Sequence, residues 1–179
     1  LAQLQTGKAP GPNGFPIEHF QTLAYWLTKP LTDMYKEVYN RGKLTTDIRT
    51  ATIVLSPTSG KPRNRCDSYR PISLLNVETK ILAKVLAYRL KKVITCLVHQ
   101  DQTGFTSNGS TRPNLCRLHS NLAQLECWDK GCFIVSLDAH KAFDSVEWPY
   151  LFAILIKMGF GPNYVKWLKL LNKSPRTWI

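Results

Sequence analysis

At 179 residues and 44% hydrophobic, the chain is long enough for one substantial core or two small ones, and too apolar to be disordered. Lys and Arg outnumber Asp and Glu 24 to 12, so the net charge of +12 points to a polyanionic partner such as nucleic acid or an anionic membrane surface. No apolar run approaches the ~18 residues of a membrane span and no signal-peptide pattern opens the chain, so the sequence reads as intracellular, in nucleus or cytoplasm.

The stretch TGKAPGPNGFP is dense in Gly and Pro and reads as a loop. Two short helices are expected after it, over Ile17 to Leu27 and Pro30 to Arg41, the second with Pro30 in its first turn and Gly42 past its end. TATIVLS, residues 50–56, is β-branched and apolar and predicts a strand. The basic loop KPRNRCDS leads into an extended YRPISLL, in which Pro71 keeps Arg70 out of a helix. Asn76 then caps a long helix in which Ile81, Leu82, Val85, Leu86, Leu90, Val93 and Ile94 recur at helical spacing. Its other face carries Lys80, Lys84, Arg89 and Lys92. Residues 57–95 hold nine Lys/Arg against two acids, so +7 of the net +12 is concentrated here.

HQDQTGFTSNGSTRPN is a polar connection, and Leu115, Leu118, Leu122 and Leu125 mark an amphipathic helix ending near Gly131. CFIVSLD is the strongest strand signal, with Phe133, Val135 and Leu137 on one side and Ile134, Ser136 and Asp138 on the other. Trp148 and Pro149 open a helix to Met158, and Pro162 starts a last one rich in Trp167, Leu168, Leu170 and Leu171. The five cysteines, odd in number and irregularly spaced, fit reduced thiols, and the pairs Cys96/His99 and Cys116/His119 are explained by helix positions better than by zinc.

An Asp ending an apolar strand, followed by a small residue, suits magnesium: the carboxylate of Asp138 projects from a rigid edge and the Ala139 carbonyl stays accessible. Read whole, FIVSLDAHKAFDSVEW resembles the first palm motif of reverse transcriptases in its non-LTR (LINE-type) form, through Leu137, Asp138, Lys141, Ala142, Phe143, Asp144, Val146 and Trp148. GKAPGPNGFPIEHF resembles the N-terminal extension block of that family, SYRPISLLNVETKILAKVLAYRL its fingers motif and following helix, HQDQTGF the next block, and GFGPNYVKWLKLL the helix after the palm motif.

The resemblance implies an α+β fold of right-hand polymerase type, with helices packed on a small antiparallel sheet, a fingers-like region over residues 1–75 and an incomplete palm-like region over 76–179. It implies an RNA-directed DNA polymerase with an RNA template, a DNA primer and deoxynucleoside triphosphates as partners, and two Mg2+ ions in the complete enzyme. Asp138 with the Ala139 carbonyl would bind metal, while Arg70 and, less directly, Lys61 would meet the triphosphate. Phe143 would lie under the sugar and exclude a 2′-hydroxyl. Arg63 and Arg65 in the basic loop would bind nucleic acid. No membrane partner is expected, and oligomeric state is left open.

The chain departs from the family pattern at Asn13, Thr58, His140, Ser145 and at Asn108–Gly109, where Gly-Arg is usual. The aromatic-x-Asp-Asp motif of the second palm hairpin is not found before Ile179, and Leu1 and Ile179 read as cuts in a longer frame. The expectation is a fragment that does not polymerise alone, with a non-catalytic basic RNA-binding module or a decayed element relic as the alternative.

Overall fold

The computed structural model describes all residues except 2, 107–108, 127–132, 140 and 179. Eight α-helices, a short 3-10 helix (Cys66–Ser68) and three strands are described: α1 (Ile17–Thr22), α2 (Ala24–Arg41), α3 (Thr46–Arg49), β1 (Thr50–Pro57), β2 (Tyr69–Leu75), α4 (Val77–Lys91), α5 (Ile94–Leu97), α6 (Arg112–Glu126), α7 (Trp148–Lys157), α8 (Pro162–Leu171) and β3 (Arg176–Trp178). They fall into two compact units, one of Leu1–Leu86 with Phe160–Ile179 and one of Ala87–Gly159.

In the first unit β1 and β2 form the hairpin that the two apolar runs predict, paired from Ala51↔Leu75 to Pro57↔Tyr69. The expectation of a purely antiparallel sheet is corrected, because β3 joins the other edge of β1 in parallel, giving the order β2-β1-β3. Three residues of mixed character, Arg176 to Trp178, carry no strand signal of their own; the open hydrogen-bonding edge of β1 makes them a strand.

The helices cover the proximal end of the hairpin. Ile17, Phe20 and Val77 form one buried cluster, joined by Leu27, Leu31 and Ile81; Val38, Leu44 and Ile48 form another, joined by Met34, Trp167 and Leu171. Each fully buried aliphatic or aromatic side chain stabilises the fold by about 1.5–3 kcal/mol. The distal end of the hairpin stays open, with Val54, Leu55 and Ile72 exposed.

Helix α2 runs six residues further toward the N-terminus than its sequence predicts, with Pro30 inside it and not in its first turn. The ring removes the bond to the Trp26 carbonyl, but Trp26 and Pro30 lie on the exposed face, where water replaces that partner. Burial of Leu27, Leu31, Met34, Tyr35 and Val38 along one stripe outweighs the lost bond. Gly42 ends α2 in the left-handed conformation (φ 67°), as expected of a residue past a helix end.

Asn76 precedes α4 as expected, but its side chain ties three segments together. Its Oδ1 accepts from the Asn13 backbone N–H (3.1 Å) and its Nδ2 donates to the Asp47 carbonyl (2.9 Å). A Cβ on Gly11 would fall inside 3.0 Å of Asn76 and of the Leu75 carbonyl carbon, so the proline- and glycine-rich loop docks where only glycine fits. Thr79 Oγ1 donates to the Ile48 carbonyl (2.8 Å) and Tyr35 Oη to the Glu78 carbonyl (2.8 Å), fixing α4 against α2 and α3. Burial pushes the Tyr35 phenol well above its ordinary range, so it acts only as a donor here.

In the second unit, the strand expected over CFIVSLD does not form among the described residues. Phe133 to Ala139 carry no ladder and are exposed, Phe133 by 97% and Leu137 by 90%. Alternating hydrophobicity marks a surface ready to pair, and no neighbouring strand is described beside it. Helix α6 covers Leu115 to Leu125 as predicted; its expected end near Gly131 lies outside the described residues, as do Cys127 and Cys132. Cys66, Cys96 and Cys116 are free thiols.

Candidate functional site

The chemistry-bearing residues sit at two places, one in each unit. In the first, the register Ser56↔Arg70 sets Arg70 one rung from the end of the hairpin, on the same face as the exposed Val54↔Ile72 pair. The basic loop beyond it is closed by the Thr58 N–H donating to the Ser68 carbonyl (2.7 Å) and by Tyr69 Oη donating to the Arg63 carbonyl (2.9 Å). Lys61, Arg63 and Arg70 are exposed, and among the described residues none of their side chains has an ion-pair partner. Arg65 differs: its Nε and Nη2 donate to Asp67 at 3.1 and 3.0 Å. Such an exposed pair is worth about 0–1 kcal/mol, so a phosphate can displace it at small cost.

In the second unit, Asp138 and Ala139 are exposed at the end of the segment 133–139, which carries no ladder, and a turn over residues 141–145 follows. The Asp144 and Ser145 N–H groups donate to the Lys141 carbonyl at 2.9 and 3.0 Å, and Lys141 takes a positive φ of 49° to make the bend. Phe143, at the apex, is 80% exposed and is therefore no core residue of this unit. Its ring meets that of Phe105 edge to face, centroids 5.6 Å apart.

The sequence places Phe105 in a polar connection and in the HQDQTGF block, without a role of its own. A bulky residue at φ 61° has no one-dimensional signature beyond the neighbouring Gly104. Sequence reasoning also missed the ion pair of Asp101 with Arg117, in which the guanidinium donates to the carboxylate and holds it below the ordinary carboxylate range. Among the described residues no three His, Cys, Asp or Glu side chains gather as metal ligands.

Residues 59–177 match the family described as reverse transcriptase (RNA-dependent DNA polymerase). The chain belongs to the reverse transcriptases, in their non-LTR, LINE-type branch. It is 32% identical over 97% of its length to the transposon TX1 uncharacterized 149 kDa protein of Xenopus laevis, covering 13% of that protein. It is 30% identical over 84% of its length to the RNA-directed DNA polymerase from mobile element jockey of Drosophila melanogaster, covering 17% of it. A further relative, at 26% identity over 88% of the chain, is the retrovirus-related Pol polyprotein from type-1 retrotransposable element R2 of Popillia japonica, of which 21% is covered. The chain thus spans between about an eighth and a fifth of the curated relatives it matches.

As a reverse transcriptase segment, the chain accommodates one of its departures locally. Asn13 Nδ2 donates toward both Glu78 carboxylate oxygens (3.3 Å each), and its Oδ1 accepts from the Phe15 N–H (3.2 Å). An aspartate there would face Glu78 as a like charge, so the amide suits this neighbour. His140 and Asn108, two further departures, lie outside the described residues.

Proposed function

We propose that this segment supplies the fingers-like region (residues 1–75) and part of the palm-like region (76–179) of an RNA-directed DNA polymerase that copies an RNA template onto a DNA primer from deoxynucleoside triphosphates. The observation that carries the reading is the disposition of Asp138, Ala139 and Phe143: two exposed residues ending the segment 133–139, then an exposed ring on a tight turn five residues after Asp138. These regions are defined by role, whereas the compact units follow packing, since Phe160–Ile179 returns to the first unit.

The donor chemistry fits Mg2+, a hard cation that takes oxygen ligands and is commonly held by one or two carboxylates with water and substrate phosphate. Asp138 and the Ala139 carbonyl would hold it, and the further carboxylate needed for two ions would come from elsewhere in the parent polymerase. When bound, the metal supplies activation of the primer hydroxyl and neutralisation of the leaving phosphates. Arg70 offers a permanently charged fork to a triphosphate, and Lys61 a point charge on the adjoining loop. Phe143 closes the space beside the sugar without offering a hydrogen bond to a 2′-hydroxyl.

The reading is tested in the parent polymerase by primer extension with Mg2+. Phe143→Ala should raise ribonucleotide use relative to deoxynucleotide use by about ten- to a hundredfold, with deoxynucleotide efficiency falling only modestly. An equal loss for both substrates would remove Phe143 from the sugar site.

The concentration of charge in residues 57–95 supports sequence-tolerant binding of the nucleic-acid backbone by the chain itself. Affinity should fall steeply with salt. Arg63→Gln should reduce the log-log salt slope by about one phosphate contact, and Arg65→Gln by less, because Arg65 must first leave Asp67. Titrations at several salt concentrations check this, and a flat salt dependence would reduce the basic loop to a solvated surface.

A second reading, a basic RNA-binding module without chemistry, is favoured by Asn108 and Gly109 standing where the family usually carries Gly-Arg. It predicts retained binding and no Mg2+-dependent incorporation by the parent protein.

A further inference from the structure

We propose that Phe105 is a positioning residue for Phe143, fixing the ring that meets the nucleotide sugar and so setting how strictly ribose is refused. The inference rests on the sugar-side role of Phe143 proposed above.

The two rings meet edge to face, 5.6 Å between centroids and 89° between planes, the favoured geometry for an aromatic pair. Burial does not explain the contact, because Phe105 is 94% exposed and Phe143 80%. Two apolar rings standing in water on separate loops meet only where the backbones on both sides present them.

Both backbones do so at a conformational cost. Phe105 holds φ at 61°, a region that bulky residues rarely occupy, and Lys141 holds φ at 49° two residues before Phe143. The Phe105 segment is tied down on both sides. Asn114 Nδ2 donates to the Asp101 carbonyl (2.9 Å), Arg117 pairs with the Asp101 carboxylate, and Thr106 Oγ1 lies 3.2 Å from the Gln102 and Thr103 carbonyls. The loop is thereby anchored to α6 and offers Phe105 outward.

The turn over 141–145 fixes the Cα of Phe143 but leaves its ring free among rotamers. A ring that is to exclude one hydroxyl by volume must occupy one of them. Contact with the Phe105 ring selects it. Phe105 itself then touches no substrate and acts through Phe143.

The test uses the parent polymerase, with single-nucleotide incorporation of matched ribo- and deoxynucleotides. Phe105→Ala should raise the ribo-to-deoxy efficiency ratio by about two- to tenfold, the range an aromatic pair of this kind is worth, with the deoxynucleotide KM rising and kcat nearly unchanged. Phe105→Tyr, which keeps the ring, should restore the wild-type ratio. In the Phe143→Ala background, Phe105→Ala should add nothing further, because the ring it positions is gone. Phe105→Leu, which keeps apolar volume without the aromatic edge, serves if the alanine variant melts early, and it should also raise the ratio. An unchanged ratio in a folded Phe105 variant, while Phe143→Ala raises it, overturns the proposal and leaves the Phe143 role standing. Additive effects of the two alanine substitutions overturn it as well. A ratio unmoved by Phe143→Ala instead overturns the sugar-side reading on which the proposal rests.

Discussion

Asp138→Asn in the parent polymerase should lower Mg2+-dependent incorporation by about three orders of magnitude or more, while leaving the thermal midpoint nearly unchanged. The substitution keeps the side-chain shape and removes the charge, and a metal that stabilises developing charge contributes several kcal/mol, each 1.36 kcal/mol being about tenfold in rate. Stability should not suffer, because Asp138 is exposed and has no ion-pair partner among the described residues. Asp144→Asn is the control: it is also exposed, and the turn uses its backbone N–H, so a change of at most about tenfold is expected. The 179-residue chain alone should show no primer extension with Mg2+ or Mn2+, since one carboxylate and one carbonyl do not hold two ions. Incorporation by the chain alone that vanishes in Asp138→Ala would overturn this account of its ligand set.

Gly11→Ala should destabilise the purified chain by about 1–3 kcal/mol, the usual cost of forcing a methyl group into filled space. The added carbon would meet the Asn76 side-chain amide, the Asn76 backbone nitrogen and the Leu75 carbonyl carbon, and the last two belong to a strand-to-helix junction that cannot move freely. Displacing the loop also breaks the Asn13 to Asn76 hydrogen bond and the contact of Lys80 Nζ with the Ala9 carbonyl (3.3 Å). Urea unfolding measures the loss, and trypsin cleavage after Lys8 should accelerate as the loop lifts. Gly161→Ala, where nothing lies within 4 Å and the backbone is extended, should cost less than about 1 kcal/mol. Equal midpoints for Gly11→Ala and Gly161→Ala would mean that the loop does not dock at Asn76.

Elements whose driving force is local were legible in the residues. The β1–β2 hairpin follows from two apolar runs around a charged loop, and α6, α7 and α8 follow from periodic apolar positions with Pro or Gly near their ends; α4 follows from periodic apolar positions after Asn76, but stops at Lys91, short of Val93 and Ile94. The family was legible because Leu137, Asp138, Lys141, Phe143 and Asp144 combine in one short phrase, which residues 59–177 as a whole bear out. The helix through Pro30 was not legible, because propensity counts the proline as a stop and cannot see the core behind Leu27 and Leu31.

The sequence by itself determined the charge, the periodic helices, the hairpin and the motif that carries Asp138 and Phe143. These depend on residue type at short spacing, which the chain carries in one dimension. Only the tertiary structure decided that Arg176–Trp178 completes the sheet, that Phe133–Ala139 stays without a ladder among the described residues, that Asn76 serves as a tie between segments, and that Phe105 meets Phe143. The physical reason is common to all four: strand pairing, close backbone approach and ring contact are properties of two segments distant in sequence, and neither segment specifies its partner alone.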